Sequence, residues 1–192
     1  MPKRSLIAAA TLLASAAPAF AHLDPAAHGS TLAGATHPLT GLDHLLVMVM
    51  VGVWAATFRG TTRFVIPAAF VVTMLAGFGL AMAAVALPFV EPAILASVVA
   101  VGLLLATAVR VPAGAAVGLV GAFALFHGYA HGSELGAAGA LAFAGGFAVA
   151  TALLHGLGLW LATFAMRHAH PLALRIVGVA TALAGAALYA AA

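Results

Sequence analysis

The stretch HPLTGLDHLLVMVMVGVWAATFRGTTR, residues 37–63, decides the fold class. It opens on a polar head containing His37, Asp43 and His44, runs through residues 45–58 without a charge, and stops at Arg59 and Arg63. An apolar run closed by arginines reads as a membrane span with its cytoplasmic end at the arginines, because cytoplasmic loops carry the excess of Lys and Arg. The 14 residues from 45 to 58 make only about 21 Å of helix, short of a hydrocarbon core of about 30 Å. The span has to borrow the polar head, which sets Asp43 and His44 within the outer leaflet.

Working outward, six such segments follow one another at roughly 38–58, 64–88, 92–109, 112–131, 136–166 and 171–191. Pro38, Pro92, Pro112 and Pro171 stand at segment starts, where a missing N–H costs nothing. The composition agrees: 65% of the 192 residues are hydrophobic, 6% are charged, and the mean hydropathy is +1.20. Soluble domains carry about 25% charged residues, so an ordinary soluble fold is excluded, and disorder with it. The runs are apolar all round rather than alternating, which argues against a β-barrel. The fifth segment is too long for one straight span, and a tilt or a break near Gly145-Gly146 is expected.

The amino terminus reads as a secretory signal. Lys3 and Arg4 precede the apolar stretch Leu6 to Ala17, and Ala19-Phe20-Ala21 supplies the small-x-small cleavage pattern. The expected fold is therefore all-α: a polytopic membrane protein, a compact bundle of six transmembrane helices after a cleaved signal peptide. Its parts are a signal at 1–21, a periplasmic tail at 22–36 and a transmembrane domain at 37–192. With the tail outside, Arg59, Arg63, Arg110, Arg167 and Arg175 all fall at cytoplasmic ends, as the positive-inside rule requires. The expected location is a bacterial inner membrane with both mature termini periplasmic. Gly114-x-x-x-Gly118 and Gly132-x-x-x-Gly136 have the spacing that lets helices approach closely in lipid. Trp54 and Tyr129 fit interfacial belts near span ends.

The four acids, Asp24, Asp43, Glu91 and Glu134, fall at the opposite face from the arginines. Acids count little in the topology rule, so their sorting needs another cause. Two polar motifs supply it. One is His37 to His44; the other is Phe126-His127-Gly128-Tyr129-Ala130-His131-Gly132-Ser133-Glu134. His127, His131 and Glu134 share one helix face by their i, i+4, i+7 spacing, and His37 and His44 are two turns apart. Glu91 closes the set from the loop between spans two and three.

Imidazoles and carboxylates converging without thiolates suit a divalent transition metal such as nickel, cobalt or zinc, and carboxylates also orient imidazoles. The chain has no cysteine, so disulfides, thiolate sites and thiol nucleophiles are out. A single histidine at a helix end is commonly an interfacial residue; seven groups at one face point to a site. The expected metal residues are His37, Asp43, His44, Glu91, His127, His131 and Glu134, with no catalytic residue and no organic cofactor. His155 reads equally as a transit ligand or a packed core histidine. His168 and His170 read as solvated loop residues, and His22 and His28 as tail, with metal gathering through a terminal amine and imidazole the less favoured alternative. Among the methionines, Met48, one turn beyond His44, stands out.

The two motifs resemble those of the HupE/UreJ family, nickel permeases or accessory proteins linked to hydrogenase and urease systems. His37-Pro38-Leu39-Thr40-Gly41-Leu42-Asp43-His44 is similar to the family's His-Pro-x-x-Gly-x-Asp-His, continuing through Gly52-Val53-Trp54-Ala55, and Phe126 to Glu134 to its Phe-His-Gly-x-Ala-His-Gly-x-Glu. The resemblance covers essentially the whole chain. It marks His37, Asp43, His44, His131 and Glu134 first, and Phe70 and Glu91 from shorter surroundings. It implies nickel as the transported substrate, with cobalt the close alternative, and a functional link to hydrogenase or urease maturation.

A secondary permease is the leading expectation. No GxxxxGK[ST] phosphate loop is present, and the one lysine is Lys3, so ATP hydrolysis is not expected. The membrane potential alone offers a divalent cation about 4–5 kcal/mol per 100 mV for inward movement. An intramembrane zinc hydrolase with Glu134 as base is the alternative from another class, and a metallochaperone or sensor that holds metal without moving it is a third. The partners expected are a divalent metal ion and membrane lipid, with a homo-oligomer also compatible. Nucleic acid is not expected, for want of clustered cations.

Overall fold

A computed structural model describes residues 30–135, 139–168, 170 and 172–192. The expected signal, the cleavage site, His22 and His28 lie outside the described residues. The described residues form α1 (Thr31–Thr36), a 3-10 turn (His37–Leu39), α2 (Leu42–Ala55), α3 (Thr62–Met82), α4 (Val90–Thr107), α5 (Ala113–Glu134), α6 (Ala140–His168) and α7 (Leu172–Ala191). No strand occurs among them. This is an all-helical, multi-pass membrane protein. Helices α3 to α7 are each long and apolar enough to cross a membrane, and the spans number six if the bent pair Thr31–Leu39 and Leu42–Ala55 counts as one.

That bent pair departs from the expected first span. Residues 31–36, read as tail, are helical: the Ser30 hydroxyl caps α1 by accepting from the Ala33 N–H at 3.0 Å. Pro38 sits inside the 3-10 turn rather than at the head of a long helix. Gly41 then takes an extended conformation and α2 starts afresh, 85° away from α1 and the turn. The bend carries the polar head sideways across the bundle, where a straight helix would carry it out toward water.

The fifth expected segment, α6, is unbroken. It runs through Gly145-Gly146 for 29 residues, or about 43 Å, which exceeds the hydrocarbon thickness and calls for a slanted crossing. Gly146 serves packing instead: a Cβ there would strike the Thr31 carbonyl of α1.

Glycines set the other helix pairs too; of those with the expected spacing, Gly132 alone among the described residues does so, against the Phe78 carbonyl of α3. Gly77 of α3 lies on the Leu125 carbonyl of α5, and Gly128 of α5 on the Met74 carbonyl of α3. Gly52 of α2 meets the His155 carbonyl, and Gly158 of α6 meets the Val49 carbonyl. At each position a Cβ would collide with the neighbour's backbone, so only glycine allows the approach. In lipid, where apolar burial gives helices little reason to associate, such contact is the main source of cohesion. Gly114 and Gly118 face open space, and Gly136 lies outside the described residues.

The buried interior is built by α2 to α6, with Val47, Met48, Trp54, Phe70, Met74, Val98, Val120 and Phe147 among its side chains. Trp54 is 2% exposed and packs edge-on to Phe58, so it is a core residue and not the interfacial belt residue expected. Large apolar side chains such as Leu141, Leu153 and Leu183 point outward, as a lipid-facing surface requires.

Candidate functional site

The site gathers where the 3-10 turn and the first turn of α2 meet the last two turns of α5. Gly41 is part of its construction: a Cβ there would come within 2.8 Å of Asp43 Oδ1 and 3.1 Å of His44 Nδ1. Its absence lets those side chains fold back beside the backbone. His44 Nδ1–H donates to Asp43 Oδ1 at 2.9 Å, since a carboxylate in this pair can only accept. The proton is thereby held on Nδ1, and the lone pair is left on Nε2. That Nε2 is buried and has no hydrogen-bond partner.

His127, fully buried on α5, is set in the same way by a residue that the sequence did not single out. Ser97 of α4 spends its one hydroxyl proton on the Ile94 carbonyl, so its oxygen accepts from His127 Nε2–H at 2.9 Å. The lone pair falls on His127 Nδ1, again buried and without a partner.

Nearer the outer end, His37, His131 and Glu134 each offer a ligand atom within 4.8 Å of the others. His37 Nε2 lies 2.9 Å from His131 Nδ1, and Glu134 Oε2 lies 4.0 Å from the first and 3.9 Å from the second. Glu134 is the exposed member and His131 the buried one. Ring centroids then step from His37 to His131 (4.5 Å), to His44 (4.5 Å) and to His127 (5.0 Å). Four imidazoles thus form a continuous file from an exposed carboxylate to a fully buried side chain. Gly128 and Gly132, inside the second motif, seat α5 against Met74 and Phe78 of α3, which fixes the rotation that turns His127 and His131 inward.

Six of the seven expected residues come together: His37, Asp43, His44, His127, His131 and Glu134. Glu91 does not. It lies in the first turn of α4, not in a loop, is exposed, and makes no ion pair among the described residues. There it meets the positive end of the helix dipole. Phe70, fully buried, stands between His127 (5.7 Å between rings) and His155 (4.8 Å).

The sequence of this chain matches the HupE / UreJ protein family over residues 10–188. The chain belongs to the HupE/UreJ family. It is similar to Protein HupE of Rhizobium leguminosarum bv. viciae, at 46% identity over 180 residues that cover 93% of this chain and 94% of the relative. No solved structure matches it. Membership bears out the resemblance read from the two motifs, and the imidazole file is built from those motifs.

Proposed function

We propose that this HupE/UreJ protein is a secondary permease that carries nickel ions from periplasm to cytoplasm, with cobalt the close alternative cargo. One observation carries the reading: His44 and His127 each have their proton tied down by an acceptor and a bare ring nitrogen left buried without a partner. Leaving such a nitrogen unmatched is costly, and a transition-metal ion is the partner that suits it. His37, His131 and Glu134 form the capture group, Asp43 orients His44 and supplies negative charge, and His44 and His127 receive the ion deeper in the bundle. Glu91 contributes only charge at the outer face.

Transport is favoured over hydrolysis because the donors are strung in a file, whereas a hydrolytic zinc needs one centre with an open water position. In this reading residues 1–21 direct export, the protein resides in a bacterial inner membrane with both termini periplasmic, and the metal serves hydrogenase or urease maturation. The deciding measurement is uptake of radioactive nickel and cobalt by purified protein in liposomes with an inside-negative potential. Nickel uptake above protein-free vesicles is expected. Tight binding without flux would make the protein a metallochaperone or sensor, and zinc-dependent lipid turnover would make it a hydrolase.

A further inference from the structure

A histidine outside this cluster carries the same signature. His155, in the interior of α6, is 1% exposed. Its Nδ1 meets the Met48 carbonyl of α2; a carbonyl can only accept, so the proton sits on Nδ1 and the lone pair on Nε2. That Nε2 is buried with no hydrogen-bond partner. One turn earlier on the same face, Thr151 is fully buried and turns its hydroxyl toward two sulfurs, Met48 Sδ at 3.4 Å and Met74 Sδ at 3.7 Å. A buried threonine ordinarily returns its hydroxyl to a carbonyl of its own helix. Here it marks where two thioethers from α2 and α3 converge. On the other side, His155 borders a cavity of about 260 Å³ shared with Phe64, Val71, Gly156, Leu159 and Arg63, the last an arginine of the expected cytoplasmic face.

We infer that His155 and the thioether sulfurs of Met48 and Met74 form an inner transition-metal station, separated from the outer histidine file by Phe70 and opening toward the cytoplasmic half. The inference rests on the permease reading and extends it inward. Its donors are nitrogen and sulfur with no carboxylate: the imidazole suits nickel, and the thioethers favour soft over hard ions. Mg²⁺ and Ca²⁺ require oxygen ligands; they can visit Glu134 and Asp43 but find no anionic oxygen at this depth. The station is therefore also a filter against hard cations.

The test uses the full-length protein in liposomes with Ni²⁺ as probe, comparing wild type, His155→Gln, Met48→Leu/Met74→Leu, and His44→Ala as an outer-cluster control. Glutamine retains an amide donor for the Met48 carbonyl without a basic nitrogen, and leucine retains apolar bulk without sulfur. Equilibrium dialysis should find one fewer nickel ion per chain in each inner variant. Nickel-edge X-ray absorption should lose its sulfur shell in the methionine variant, and uptake should fall at least about tenfold in both. If His155→Gln fails to fold, the methionine variant decides by the same readouts. Wild-type stoichiometry and an unchanged absorption spectrum in the inner variants, while His44→Ala abolishes uptake, would overturn the inner station and leave the permease standing. A wild-type protein that neither binds nor moves nickel overturns both.

Discussion

His37 Nε2 and His131 Nδ1 lie 2.9 Å apart although 94 positions separate them in the chain. The contact exists because the 85° bend before α2 swings the 3-10 turn over the end of α5. Since the two rings and Glu134 offer one shared position for an ion, their contributions to binding should be strongly coupled. His37→Ala and His131→Ala should each weaken nickel binding about 10–100-fold, and the double variant should be little worse than either single. Fully additive losses in a double-mutant cycle by calorimetry would mean that the two histidines serve separate sites.

Asp43 and Glu134 are expected to matter more than Glu91. Asp43→Asn removes the charge that holds the His44 proton on Nδ1, and Glu134→Gln removes the anion of the capture group. Each should lower nickel affinity about 10–100-fold at unchanged membrane abundance. Glu91→Gln should be milder, because Glu91 is exposed and lies outside the group formed by His37, His131 and Glu134. Loss of abundance together with uptake would assign the two acids to folding instead.

Packing predictions separate glycines of identical chemistry. Gly128→Ala drives a Cβ into the Met74 carbonyl and Gly52→Ala one into the His155 carbonyl, whereas Gly114→Ala and Gly118→Ala meet nothing. The first pair should lose about 1–3 kcal/mol or more of stability, read as a lower midpoint of thermal unfolding in detergent. The second pair should match wild type. Equal midpoints for all four would contradict the α3–α5 and α2–α6 contacts.

Topology can be read chemically, since the chain has no cysteine. Thr61→Cys lies in the exposed turn between α2 and α3, and Ser133→Cys is exposed near the end of α5. An impermeant thiol reagent applied from the periplasmic side should label position 133 and spare position 61. The reverse pattern would invert the orientation and with it the direction of transport.

Binding should fail in acid. Imidazole ligates metal only when neutral, and histidine ordinarily titrates near about 6.5, well above a carboxylate at about 4. Protons therefore compete with nickel at the rings, and affinity should fall as the solution is acidified, with protons released as the ion binds there. Nickel titrations from pH 8 down to pH 3, with folding followed in parallel, check this. An affinity that stays flat over that range in folded protein would remove the imidazoles as ligands.

The sequence by itself determined the solvent, the approximate spans, the sorting of charge and the two motifs, because these follow from local composition and from spacing along one helix. His127, His131 and Glu134 fall on one face of α5 whatever surrounds it. The rotation of each helix about its axis was another matter. In water an apolar stripe betrays the buried face, but a membrane helix is apolar all round and lipid accepts any of its faces. Nothing local said that Trp54 turns inward, that α4 brings Ser97 to His127, or that Met74 and Thr151 meet beneath Phe70; only Thr151-x-x-x-His155 hinted at a shared face. The rotations of α2, α3, α5 and α6 were decided by backbone contacts at Gly52, Gly77, Gly128 and Gly158, where one helix admits another at a single rotation. Glu91 shows the same limit: lying at the expected outer end assigned it to a membrane face, and only the packing of α4 set it apart from the histidines.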